Sequence, residues 1–210
     1  ILGLAVAYAC RRLGYRAEIF VPSTSPLTKI DRVRAEGVTV RVIEGFYDDA
    51  SDAARARQAE TGALAMHPFD QPEVVAGQGT IGIELSQQVP EADTVLVSCG
   101  GGGLVAGIAA WFRNDVRVVA VEPEGSRCLD AALAAGEPMD VTVDSIAADS
   151  LGARRVGSIA FETARTYVER VALVPDEAIR TAQRALWREL RLVAEPGGAA
   201  ALAALMRGAY

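Results

Sequence analysis

Four consecutive glycines, Gly100 to Gly103, carry the strongest chemical signal in this sequence. They follow Thr94-Val95-Leu96-Val97-Ser98-Cys99, an apolar β-branched run that reads as a buried strand. They precede Leu104-Val105-Ala106-Gly107-Ile108-Ala109-Ala110-Trp111-Phe112, which reads as a helix. A strand that turns at once into a helix leaves the first N–H groups of that helix without intrahelical acceptors. Glycines keep Cβ atoms out of the way, so an anion reaches those donors closely. The loop contains no lysine or arginine. A phosphate held there is held by amide dipoles and the helix dipole alone, which suits a phosphate retained as part of a cofactor rather than one being transferred.

Two chemistries fit such a loop. Gly101-x-Gly103-x-x-Ala106 matches a dinucleotide fingerprint, and Glu122 closes the next strand about where a ribose-binding acid is expected. Against this, such fingerprints open the first βα unit, whereas this one follows a complete smaller α/β array, and Pro123 comes directly after Glu122. An acid at a strand end is often structural. His67 is the only histidine, and its place before Pro68 suits a structural role at a strand end better than a general base, which needs a partner.

The elements that must position these residues alternate between strand and helix patterns throughout, the mark of an α/β fold with mainly parallel sheets. The pattern predicts helix over 3–13, strand over 16–21 closed by Pro22, helix over 26–36 ending at Gly37, and strand over 38–43. Helix over 48–61 and a short strand over 63–66 lead to His67-Pro68. From Pro72 a long helix runs to about 88, stopped by Pro90, and enters the strand and glycine loop. Strand 116–121, helix 126–135, a loop over 137–150, helix 154–168, strand 171–174 and helices 176–191 and 197–207 complete the chain. We expect two lobes, a smaller one over 1–68 and a larger one over 69–210 that carries the loop.

Composition narrows the classes. Half the residues are hydrophobic, enough for a well-packed core. The net charge of −6 and the lack of a basic tract argue against a nucleic-acid partner. No apolar run reaches the roughly 18 residues of a membrane span, and no secretory leader is evident. Cys10, Cys99 and Cys128 show no paired spacing, which suits a reducing cytoplasm. The sequence opens at Ile1 inside a helical pattern with no N-cap and stops at Tyr210 just after an alanine-rich helix. We therefore expect a piece of a longer chain, incomplete at both ends.

Five segments, in order, resemble the fold type II pyridoxal-phosphate enzymes of the serine/threonine dehydratase and serine racemase branch. They are His67-Pro68-Phe69-Asp70-Gln71-Pro72 with Ala76-Gly77-Gln78-Gly79-Thr80; Gly100 to Gly103 with Leu104; Val121-Glu122-Pro123; Ala147-Ala148-Asp149-Ser150-Leu151-Gly152; and Val193-Ala194-Glu195-Pro196-Gly197-Gly198-Ala199-Ala200. The likeness covers essentially the whole chain and implies a tryptophan synthase β-like fold with parallel-sheet lobes.

It also implies roles. Gly100, Gly101, Gly102, Gly103 and Leu104 hold the phosphate of pyridoxal 5'-phosphate; Glu195 lies near the cofactor ring; Ser150 brings its backbone carbonyl to the cofactor edge. Two plainer readings stand beside these: a tight turn packing strand on helix for the glycines, and a helix N-terminal acid for Glu195. Phe69 and Asp70 face the active-site cleft in relatives, where Phe69 shapes the pocket. Some relatives bind a divalent cation at positions corresponding to Glu122, Ser126 and Cys128. A cysteine suits a hard cation poorly, and Asp130 has the wrong spacing, so no metal site is expected.

The resemblance further implies a Schiff-base lysine on a segment preceding the region that matches Ile1. The only lysine present, Lys29, reads as a helix surface charge. Ile1-Leu2 stand where an Asn-His pair of the substrate-carboxylate loop is expected, and only Gly3 of that loop matches. The small polar residue facing the ring nitrogen belongs just beyond Tyr210. The expected activity is that of a parent enzyme, dehydration and deamination of L-serine or L-threonine to a 2-oxo acid and ammonia, with this stretch inactive alone. An amino-acid racemase, a dehydratase for another β-hydroxy amino acid, and a non-catalytic cofactor-binding relic remain open. Expected partners are an amino-acid substrate and a second copy in a homodimer, with neither nucleic acid nor membrane. Alone, the piece is expected to be poorly soluble, because it exposes sheet edges.

Overall fold

The computed structural model describes residues 2–45 and 47–210. It divides into two compact units, one extending to Met66 and one running from His67 to Tyr210.

In the first unit, α1 (Leu2–Leu13), β1 (Glu18–Pro22), α2 (Leu27–Ala35), β2 (Thr39–Ile43) and α3 (Tyr47–Thr61) follow one another. β1 and β2 pair in parallel, Glu18 opposite Thr39 and Pro22 opposite Ile43. Gly37 ends α2 with φ +77°, a left-handed turn that glycine enters without a Cβ penalty. Ala7, Ile19 and Val33 form a small core between the helices and the strand pair. Glu18 ties the unit together: its carboxylate accepts from Arg41 Nε on β2 at 2.6 Å and from Arg57 on α3 at 2.9 Å. The strand predicted over 63–66 does not form. Leu64 is 82% exposed there and pairs with no other strand among the described residues.

The second unit holds α4 (Pro72–Gln88), β3 (Thr94–Ser98), α5 (Gly103–Phe112), β4 (Arg117–Pro123), α6 (Cys128–Ala135), the short α7 (Ala148–Leu151), α8 (Ser158–Tyr167), β5 (Arg170–Val174), α9 (Asp176–Leu190) and α10 (Pro196–Arg207). Its sheet is parallel, in the order β3-β4-β5. β4 explains the layering. Val118 and Ala120 point into a core with Val75 of α4, Ile108 of α5, Leu129 of α6 and Phe161 of α8. Val119 and Val121 point the other way, into a core with Ile179 of α9 and the alanine face of α10. A strand buried on both faces has no polar positions to alternate, hence the unbroken run Val118-Val119-Ala120-Val121. Within the predicted loop over 137–150, α7 is an extra single turn of helix.

α4 and α5 cross at glycine. A Cβ built on Gly107 would stand 2.5 Å from both Gly79 N and Val75 O, so the helix backbones touch only because the side chains are absent.

Candidate anion site at the carboxyl ends of the strands

The glycine loop leaves β3 and enters α5 through Gly102, whose φ of +89° lies in the left-handed region. Two carbonyls of the loop are tied to neighbours: Gly157 N–H donates to Gly101 O at 3.0 Å, and the Cys128 thiol donates to Gly100 O at 3.2 Å. The N–H groups behave differently. Among the described residues, no acceptor lies within hydrogen-bonding geometry of the N–H groups from Gly100 to Val105; the ladder resumes with Ala106 N–H to Gly102 O at 2.8 Å. Gly100, Gly101 and Leu104 are half-buried rather than sealed. Six successive amides without partners exceed the four that any helix start leaves open.

Each glycine is fixed by a neighbour on its Cβ side. A Cβ on Gly100 would stand 3.0 Å from Leu151 Cα, on Gly101 2.4 Å from the Phe69 ring, on Gly102 2.5 Å from Ala160 Cβ, and on Gly103 2.8 Å from Phe69 O. The Cβ positions therefore face protein. This corrects the reason given for the glycines from sequence alone: they admit the loop's own supports, and the N–H groups of the row are left without protein acceptors.

Those supports bring the other nominated residues to the same end of the sheet. Leu151 ends α7, and its carbonyl accepts from the buried Ser126 Oγ at 2.7 Å. Ser150, one residue earlier, packs on the start of α10: a Cβ on Gly197 would stand 2.3 Å from Ser150 Oγ. α10 is joined to β3 in turn, Ala201 N–H donating to Ser98 Oγ at 3.2 Å. Glu195 is the N-cap residue of α10 and is exposed, with no capping bond from its carboxylate. Thus the loop, α7 and the α10 start share one neighbourhood outside the carboxyl ends of parallel strands, where ligands of open α/β sheets bind.

The structure moves three other residues to different duties. Glu122 is fully buried, and its two oxygens accept from Leu129 N–H and Asp130 N–H, both at 2.9 Å, capping α6. It is not available to a ribose, which removes the main support of the dinucleotide reading. Burial pushes its pKa up to about 7, although the two amide bonds pull downward. Burial likewise raises the adjacent thiols, Cys128 to about 12 and Cys99 well above the usual range. Ser126 and Cys128 are committed to Leu151 O and Gly100 O. Among the described residues, no three His, Cys, Asp or Glu side chains are grouped to hold a metal ion.

Phe69 lies beneath the glycine loop, with its ring on Gly101. Asp70 accepts from Ile159 N–H at 2.9 Å and so caps α8 from 89 residues away. The N-cap residue Gly157 has no side chain to cap α8 itself, and Asp70 takes that place. His67 Nδ1 accepts from Asp70 N–H at 2.8 Å and Phe69 N–H at 3.3 Å, so it orders the turn. Lys29 sits in α2, and Leu2 and Gly3 open α1; Ile1 lies outside the described residues. No helix among the described residues is long and apolar enough to cross a membrane.

Known proteins resemble this chain along nearly its whole length. The L-threonine dehydratase biosynthetic IlvA of Haemophilus influenzae is 38% identical over 205 residues, covering 96% of this chain and 40% of that protein. The processed form of threonine deaminase isoform 2 from Solanum lycopersicum superposes with a TM-score of 0.91 at 33% identity, over 96% of this chain and 60% of that one. Maize serine racemase gives 0.92 at 33% identity, over 96% and 62%. The chain thus spans about two-fifths of the length of such curated relatives. The family model for pyridoxal-phosphate dependent enzymes matches residues 2–210, and this chain belongs to that family.

Proposed function

We propose that this chain is the phosphate-holding part of a serine/threonine ammonia-lyase, and that the N–H groups from Gly100 to Leu104 bind the phosphate of pyridoxal 5'-phosphate. The observation that carries this is the unpartnered amide row at the start of α5, with no cationic side chain in the loop. A dianion placed there gains several charge-assisted N–H bonds and the helix dipole together. Glu195 and the Ser150 carbonyl would border the ring, because α7 and the α10 start flank the loop.

When bound, the cofactor supplies an electron sink that stabilises charge at the Cα of an amino acid. The residues of this chain supply the rest: amide donors fix one end of the cofactor, Phe69 and Leu151 hold the loop's shape, and the apolar strand ends keep water from the buried side. The lysine that would anchor the cofactor and move the Cα proton is assigned to a part of the parent outside this sequence, since Lys29 is the sole lysine here. The likeness to threonine deaminase and to serine racemase is of equal quality, so lyase and racemase share this cradle. The 38% identity to threonine dehydratases supports the lyase. We assign the parent an amino-acid substrate, a homodimeric state and a reducing cytoplasmic setting.

The test is a comparison of pyridoxal 5'-phosphate with pyridoxal, which lacks the phosphate. The chain should bind the former, with competition by inorganic phosphate, and the latter at least tenfold more weakly. Equal binding of the two, or no competition, would refute the phosphate site. For the parent, 2-oxo acid release from L-threonine and L-serine separates lyase from racemase.

A further inference from the structure

The turn from His67 to Gln71 is tied by several short-range hydrogen bonds, and the proposed chemistry gives His67 itself no part. His67 N–H donates to Gln71 Oε1 at 2.8 Å. His67 Nδ1 accepts from two successive amides, those of Phe69 and Asp70. A ring nitrogen that accepts carries no proton, so this geometry requires the neutral tautomer with hydrogen on Nε2. The imidazole meets the Phe69 ring edge-on, centroids 4.8 Å apart at 83°. On its other side, residue 69 supports the glycine loop at two points, its ring against Gly101 and its backbone against Gly103. Asp70, ordered by the same nitrogen, caps α8, whose N-cap Gly157 holds Gly101 O. Both routes from His67 end on the glycine loop.

We propose that His67 is a positioning residue for the anion loop: its unprotonated Nδ1 locks the Phe69 turn against Gly101 and Gly103, and protonation there releases the lock and weakens phosphate binding. The proposal rests on the phosphate-loop reading. Protonated, Nδ1 becomes a donor facing two N–H groups, so both bonds are lost and replaced by repulsion. Partial burial of the ring holds it below the ordinary histidine value, and the Asp70 carboxylate opposes that shift. His67 is exposed, so a proton can reach the ring. The charged groups facing this turn are few. Asp70 belongs to it, α4 opens with Glu73, and residues 156–161 at the start of α8 and 99–105 of the loop bring no charge.

The experiment compares wild type, His67→Asn and His67→Leu from about pH 7.5 to about pH 4.5. Asparagine offers an acceptor oxygen close to the Nδ1 position and does not titrate; leucine offers none. Sulfate is the probe, because its charge is constant over this range, with pyridoxal 5'-phosphate alongside. The expected result is about tenfold weaker sulfate binding at the acid end for wild type, the loss of two modest hydrogen bonds. His67→Asn should stay flat, and His67→Leu should be weak throughout. Identical pH profiles for wild type and His67→Asn would overturn the proposal and leave the phosphate site standing. A second readout needs no ligand: the ring of Phe69 shifts the Gly101 Hα resonance, and that shift should fade with acid in wild type but not in His67→Asn. If it does so while no variant binds sulfate or cofactor, the lock holds and the phosphate reading falls. If it stays constant in all variants, the lock is wrong.

Discussion

Adding one methyl group at Gly101 should disturb the loop first through Phe69, whose ring atoms are its three nearest neighbours. The Cβ of Gly101→Ala would lie 2.4 Å from Phe69 Cγ, about 1 Å short of the roughly 3.5 Å at which carbon atoms rest in contact. The ring has to move, and its backbone is held by the bonds to His67 and by the contact with Gly103. Overpacking of this kind costs about 2–3 kcal/mol. Gly77→Ala is the control: Gly77 lies inside α4 with nothing within 4 Å of its Cβ, so alanine should stabilise by about 0.5–1 kcal/mol through helix propensity.

The measurement is urea unfolding followed by tryptophan fluorescence. Both tryptophans, Trp111 and Trp187, lie in the unit from His67 onward, so the signal reports that unit. Truncating the half-buried ring in Phe69→Ala should itself cost about 2 kcal/mol. The decisive quantity is the coupling: Gly101→Ala should be nearly harmless in the Phe69→Ala background, a coupling of about 2 kcal/mol. If Gly101→Ala costs the same in both backgrounds, Phe69 does not support the loop and the argument from its position is wrong.

Four further outcomes are expected. Gly107→Ala places a Cβ 2.5 Å from backbone atoms of α4, which yield less than a side chain does, so denaturant melts should show a loss at or above about 3 kcal/mol. Glu122 has its folded pKa raised from 4.5 to about 7. Its protonated form is the one the fold favours, so stability is fully present below the unfolded value and is lost as pH rises through 7. Relative to Glu122→Gln, wild type should lose up to about 3 kcal/mol between about pH 5 and about pH 8 in urea melts, and parallel pH profiles would refute this. Cys99 and Cys128 are buried with raised pKa values, so a thiol reagent should modify Cys10 first in the native chain and all three in denaturant. Pyridoxal 5'-phosphate should give no imine absorbance with this chain and no borohydride-stable adduct at Lys29; such an adduct would refute the assignment of the anchoring lysine elsewhere.

Much of the fold was legible because its signals are local. The alternation of β-branched and alanine-rich runs located the helices and strands to within a few residues, and Gly37 marked a helix end through its backbone freedom. The segment 63–66 misled because Ala-Leu-Ala-Met carries apolar character without a partner strand, and pairing is not a local property. The candidate site was proposed from a row of glycines and a resemblance, and its supports had no sign in the sequence. That Asp70 caps α8, that Ala160 faces Gly102, and that Leu151 lies on Gly100 are contacts across dozens of residues, fixed by tertiary packing. Glu122 shows the same limit: an acid at a strand end serves a ribose or a helix cap with equal ease in sequence, and only its burial decides.

The glycine row answers two demands that need not coincide. On the Cβ side, Phe69, Ala160 and Leu151 require four residues without side chains, and packing alone would explain glycine there. Packing does not explain why six consecutive amides, Gly100 to Val105, find no acceptor among the described residues, two more than a helix start alone leaves open. On the proposed reading, the contacts that fix the loop lower the ordering cost of binding an anion at those amides. The same four residues would then serve packing through their Cβ positions and binding through their amides. The Cβ-side contacts should respond to Phe69 and His67 variants, and binding at the amides should respond to the charge of the ligand.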